Sequence, residues 1–136
     1  MKSSRRNIWI AALCLYIIAV AYLCFMNPDD MPEVRPDIWG IPIDKIMHFI
    51  MFFPYPVLAY AAFRPSGRRR IFHILILLTV LVTGAGLAMG TERLQGMLEY
   101  RSFDINDFYA DMIGMTCSTA LTMLFALIRR TDVSDE

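Results

Sequence analysis

Nine polar side chains in this sequence are spaced so that they can share one site. Asp44, Lys45 and His48 lie within one helical turn, Glu92 and Gln95 are three apart, and Arg101, Asp104, Asp107 and Asp111 step by three, three and four. Steps of three and four place side chains on one face of a helix. Their types suit several chemistries. Lys45 and Arg101 can hold a phosphate, arginine bidentately, while Gln95, His48 and the carboxylates can take sugar or peptide groups. His48 with Glu92, Asp107 and Asp111 can ligate a divalent metal acting as a Lewis acid on a phosphoryl or acyl group. His48 can also be a general base oriented by Asp44 or Glu92. The same residues can equally be structural. Asp44 and Asp104 can cap helix N-termini, Asp107 can complete a capping box with Asp104, and Lys45 and Arg101 can pair with the carboxylates left over. No Ser-centred elbow, H-E-x-x-H or Gly-rich phosphate loop is present, and the spacings fit no metal motif, so no resident metal or cofactor is assigned.

The elements that must position these residues are apolar. Residues 8–26, 46–63, 71–90 and 108–128 form long runs almost free of charge. Each is close to the ~20 residues that cross ~30 Å of hydrocarbon. Lipid offers no water to backbone groups, so each run is expected to be a helix. The 136 residues are 57% hydrophobic with mean hydropathy +0.46, and four spans leave no room for a second domain. The expected fold is therefore all-α, a single four-helix transmembrane bundle over residues 1–136. Lys2, Arg5 and Arg6 before Ala19-Val20-Ala21 also fit a cleaved leader. Apolar sequence continuing through Met26 gives full spanning length, so a retained span is expected.

Charge sets the orientation. Lys2, Arg5, Arg6, Arg64, Arg68, Arg69, Arg70, Arg129 and Arg130 all lie at one end of the runs. The positive-inside rule makes that end cytoplasmic, with both termini inside. Ten of the 13 acids fall in the two outer segments: Asp29, Asp30, Glu33, Asp37 and Asp44 in one, Glu92, Glu99, Asp104, Asp107 and Asp111 in the other. The formal net charge is zero, and without an exposed basic face a nucleic-acid partner is not expected. The first outer loop, with Pro28, Pro32 and Pro36, reads as an extended connector. Trp39 and Tyr100 are placed in the outer aromatic belt and Trp9 in the inner one. Cys14, Cys24 and Cys117 fall inside the runs and read as small core residues.

Small residues indicate which faces meet. Ala110, Gly114, Ser118 and Thr122 form a stripe beside the aspartates of the last run, and Gly84, Ala88, Glu92 and Gln95 share a face of the third. Gly86 and Gly90 add a G-x-x-x-G pair. On the second run Asp44, His48, Phe52 and Tyr55 align. Pro54 and Pro56 then predict a kink that frees the carbonyls of Ile50 and Phe52. The three stripes are expected to meet at the outer interface around an outward-opening pocket. At its deepest level Asp111 is expected either neutral or held by Arg101, Lys45 or a metal.

Three segments carry a family resemblance. They are Asp44-Lys45-Ile46-Met47-His48-Phe49, Glu92-Arg93-Leu94-Gln95, and Arg101-Ser102-Phe103-Asp104-Ile105-Asn106-Asp107 leading to Asp111. In order and membrane side they resemble the D-K-x-x-H-F, E-x-x-Q and R-x-x-D-x-x-D-x-x-x-N segments of the VanZ-like family, small bacterial membrane proteins named for a teicoplanin-resistance protein. Gly114 falls where that family tends to place a glycine. Asp111 departs from the pattern, which has asparagine there. The resemblance implies a multi-pass protein of the bacterial plasma membrane, associated with altered glycopeptide susceptibility. Its implied partners are membrane lipids and an envelope lipid or cell-wall precursor. A hydrolase or transferase acting on such a lipid and a purely structural ion-pair network stand as alternatives.

Overall fold

The computed structural model describes residues 2–30, 37–64 and 69–131. Glu33, Arg35 and the prolines of the first loop at 32 and 36 lie outside the described residues. So do Arg68, the acidic tail, and the side chains of Lys2, Arg129 and Arg130.

Among the described residues five α-helices form four apolar spans. Helix α1 covers Lys2–Phe25, α2 Ile43–Phe52, α3 Pro54–Phe63, α4 Arg70–Gln95 and α5 Ile105–Thr131. Helices α2 and α3 together make the second span, Ile43–Phe63. Each span is long and apolar enough to cross a bilayer, and the chain is a multi-pass membrane protein. Helix α5 packs on α2, α3 and α4, while α1 leans mainly on α3 and touches α4 lightly.

The break between α2 and α3 falls at Phe53, immediately before Pro54. Proline is tolerated at the first position of a helix because its missing N–H has no partner there in any case. The carbonyl that draws an outside donor is that of Met51, not those of Ile50 or Phe52. The Tyr16 hydroxyl of α1 donates to it. Phe53 N–H still reaches Phe49 O at 3.0 Å, and Phe53 itself keeps helical backbone angles.

The buried positions of α4 are Leu77, Val80, Gly84, Ala88, Glu92 and Gln95, as the stripe requires. On α5 they are Ala110, Asp111, Gly114, Met115, Ser118 and Thr122. The close approaches use other glycines than the G-x-x-x-G pair. A Cβ on Gly86 or Gly90 would meet nothing within 4 Å. A Cβ on Gly114 would lie 2.5 Å from Phe49 O of α2, and one on Gly84 would strike the Tyr55 ring at 2.9 Å. Spacing alone marked Gly86 and Gly90, but their helix face points out of the bundle. The cysteines divide likewise. Cys24 is buried, whereas Cys14 and Cys117 are exposed on the outside of the bundle and are not core residues. His73 Nδ1 and Tyr60 Oη share a hydrogen bond of 2.6 Å.

Part of the first loop is not a plain connector. Asp37–Ile38 (β1) pairs antiparallel with Ile41–Pro42 (β2) around Trp39 and Gly40. Both turn residues have positive φ, 53° and 79°, the combination that closes a two-residue hairpin of type I′. Asp37 Oδ2 accepts the Gly40 N–H at 3.1 Å. Trp39, in a conformation unfavourable for a side-chain-bearing residue, is 97% exposed at the tip.

Candidate functional site

Helices α2, α4 and α5 bring their polar stripes together at one end of the bundle. His48 enters from α2, Glu92 from α4, and Asp107 and Asp111 from α5. His48, Glu92 and Asp111 are buried, the two carboxylates with no exposed surface at all. His48 Nδ1 lies 3.0 Å from Asp111 Oδ1 and 3.8 Å from Glu92 Oε1, and its Nε2 lies 3.6 Å from Asp107 Oδ2. Asp111 is thus held by His48, and not by Arg101 or Lys45. The imidazole is oriented by Asp111, and not by Asp44 or Glu92.

Above this level Lys45 gathers three carboxylates. Its ammonium donates to Asp104 Oδ2 at 2.5 Å, to Asp44 Oδ2 at 3.0 Å and to Asp107 Oδ1. Asp107 therefore faces two ways, one oxygen on Lys45 and the other toward His48. The Lys45 contact, with the Asn106 backbone N–H, holds the Asp104 carboxyl below the usual carboxylate range.

Capping is shared differently from the local pattern. Asp104 does cap α5: its Oδ1 accepts the Asn106 N–H at 2.9 Å. Asp107 does not close a capping box, because Lys45 engages it. Glu92 Oε2 of α4 accepts the Asp104 N–H instead, at 3.4 Å. Asp44 is not a cap. Helix α2 starts one residue earlier, with Pro42 at the N-cap and no side-chain capping bond.

Two residues expected in this cluster serve α1. Gln95 Nε2 donates to Cys24 O at 2.7 Å, and Arg101 donates to Met26 O at 3.4 Å. Tyr100 Oη takes the carbonyl between them, Phe25 O, at 3.0 Å. The last carbonyls of a helix have no partner within it. Here three consecutive ones are met by side chains from the end of α4 and the segment after it. Arg101 makes no ion pair among the described residues. Its Nε is buried with no hydrogen-bond partner among those residues, whereas Lys45 is already occupied by three carboxylates. The role of Tyr16 at the bend had no sequence signal beyond a tyrosine on an apolar face.

Five buried side-chain atoms have no hydrogen-bond partner among the described residues: Arg101 Nε, Ser118 Oγ, Thr119 Oγ1 and two oxygens of the cluster itself, Glu92 Oε1 and Asp111 Oδ2. Both belong to carboxylates beside the imidazole. One ligand atom from each of His48, Glu92 and Asp107 lies within 4.8 Å of the other two, and Asp44, Asp104 and Asp107 form a second such group nearer the surface. The deeper set is a nitrogen–oxygen donor set of the kind that imidazole-binding divalent metals accept.

Comparison with known proteins bears on the chain as a whole. An uncharacterized protein of Schizosaccharomyces pombe is 36% identical over 86 residues, 62% of this chain. The chain spans half the length of that relative. No solved structure matches the chain. A family model described as VanZ/LLP1 matches residues 13–126, a range that includes every side chain of the polar end described above. With four spans, the polar end they share and this match, the chain belongs to the VanZ/LLP1 family.

Proposed function

We propose that the polar end of the bundle binds an envelope lipid or lipid-linked cell-wall precursor at the outer face of the bacterial plasma membrane, and so alters glycopeptide susceptibility. The observation that carries this reading is the pair of buried, unpartnered oxygens, Glu92 Oε1 and Asp111 Oδ2. A cluster serving only as a fastener satisfies its buried polar atoms, since each one left bare costs about 1–3 kcal/mol. These oxygens accept, so they suit a hydroxyl, an amide N–H or a cation. The family association with teicoplanin resistance supports an envelope ligand, and the depth of the cluster at a membrane boundary supports an amphipathic one.

The test is complementation of a deletion strain, scored by teicoplanin susceptibility. Wild type restores the parental level. Glu92→Gln, inserted to the same level, is expected not to. Full complementation by Glu92→Gln would overturn the reading.

The His48–Asp111 pair favours one further reading at the same site. A carboxylate on Nδ1 orients Nε2 for proton transfer, which suits a hydrolase or transferase acting on the bound lipid. Turnover of a lipid-linked precursor by wild type and not by His48→Ala would establish it.

A further inference from the structure

We infer that His48, Glu92 and Asp107 form a binding site for one divalent cation of the zinc type, with Asp111 as the residue that orients the imidazole. The inference deepens the reading of the polar end as a binding site. It supplies positive charge beside the buried carboxylates, where an anionic headgroup would otherwise be repelled.

Charge is the first support. Among the described residues the ion pairs of Asp44, Glu92, Asp104, Asp107 and Asp111 are with Lys45 and His48. Lys45 is fully engaged by the three carboxylates nearest the surface, and Arg101 points at α1. The deeper carboxylates have only the imidazole. Such a set attracts a cation and repels a phosphate unless a cation stands between them.

Geometry is the second. Zinc binds nitrogen and oxygen at ~2.0–2.2 Å, so two ligand atoms on one ion stand roughly 3.3–4.3 Å apart. The His48 Nε2 to Asp107 Oδ2 separation of 3.6 Å falls in that range. One ligand atom of Glu92 lies within 4.8 Å of one from each of the other two residues, and since its Oε1 stands 3.8 Å from His48 Nδ1, closure on an ion at Nε2 requires the carboxylate to turn toward that nitrogen.

Satisfaction is the third and is independent of the other two. Glu92 Oε1 is fully buried, has no hydrogen-bond partner, and is aimed into the cluster. Its other oxygen is fixed by the Asp104 N–H, so the carboxylate is held with one oxygen free. Asp111 supplies the outer support that metal-binding histidines regularly have. It accepts at Nδ1, which leaves Nε2 as the ligand nitrogen. One histidine with two carboxylates suits a borderline ion such as Zn²⁺ better than Mg²⁺, which prefers oxygen alone.

The experiment uses the full chain, purified in detergent on a tag without histidine, stripped with EDTA and titrated with zinc chloride by calorimetry. One Zn²⁺ per chain is expected. His48→Ala and Glu92→Gln are each expected to weaken binding at least tenfold, and Asp111→Leu by about 10–100-fold through loss of the orienting contact. His73→Ala removes the other histidine and is expected to bind as wild type does. X-ray absorption at the zinc edge of the wild type keeps the test valid if a variant fails to fold, with one imidazole and otherwise oxygen ligands expected. Wild type that binds no more zinc than His48→Ala, or a zinc spectrum without imidazole, overturns the site. Zinc loss in Glu92→Gln with full complementation upholds the cation site and removes the envelope function. Failure to complement by a Glu92→Gln protein whose wild type binds no zinc removes the cation alone.

Discussion

Asp111 and His48 are 63 residues apart in sequence, yet Asp111 Oδ1 lies 3.0 Å from His48 Nδ1 in the buried end of the bundle. Asparagine at 111, the residue of the family pattern, keeps a carbonyl oxygen that accepts the same N–H. Asp111→Asn is therefore expected to change stability by no more than about 1 kcal/mol, whereas Asp111→Leu strands the imidazole N–H at a cost of about 1–3 kcal/mol. Thermal unfolding in detergent, followed by tryptophan fluorescence, compares the two. Equal losses would show that the contact does not matter.

Gly114 and Gly86 make a matched pair. Alanine at 114 pushes a Cβ against the backbone of Phe49, and neither helix can yield without parting α2 from α5. A loss of about 1–3 kcal/mol is expected from such overpacking. Alanine at 86 meets open space and replaces a flexible residue in a helix, so a gain of about 0.5–1 kcal/mol is expected. The same unfolding assay decides, and a reversed order would contradict the packing of α5 on α2.

Asp104 gives the fold an acid-sensitive part. Lys45 holds its carboxyl below the ordinary range in the folded state, so the unfolded chain binds the proton more readily. This contribution is fully present above the ordinary carboxylate pKa and is lost as pH falls through the depressed folded value. Asp104→Asn retains an acceptor for the cap of α5 and removes the titration. The melting temperature of the variant is expected to fall less steeply than that of wild type below about pH 4. Identical slopes would show that the Lys45 contact does not hold Asp104 ionised.

Orientation is testable without touching the site. The basic residues at the other end of the spans require both termini in the cytoplasm. A reporter that folds only in the cytoplasm, fused after Thr131, is expected to be active, and one that matures only outside the cytoplasm is expected to be silent there. The opposite pattern would put the polar end on the inner face.

The faces of α4 and α5 were legible because two constraints coincide. A carboxylate pointing into lipid is expensive, and small residues mark where backbones meet, so the Glu92 and Asp111 stripes had one direction to turn. Partner choice was not legible. Gln95 and Arg101 belong by type to a polar site, but they donate to carbonyls of α1, and backbone acceptors leave no residue-type signature. Lys45 could equally have met any of several carboxylates in its stripe, and only the packing of α5 on α2 selects Asp104 and Asp107. The hairpin before α2 did have a signal, Trp39-Gly40 between two isoleucines. Neighbouring prolines and acids, which suit an extended connector equally well, masked it.

The three carbonyls at the end of α1 have a bearing on how the protein is made. Helix α1 is synthesised first and can enter the bilayer alone, but Cys24, Phe25 and Met26 find their donors only at Gln95, Tyr100 and Arg101. Until those residues emerge from the ribosome, that end of α1 is completed by water and headgroups. The packing of α1 on α3 and the Tyr16 contact with Met51 are available earlier, so translation through Arg101 completes the end of a helix whose body can already be in place.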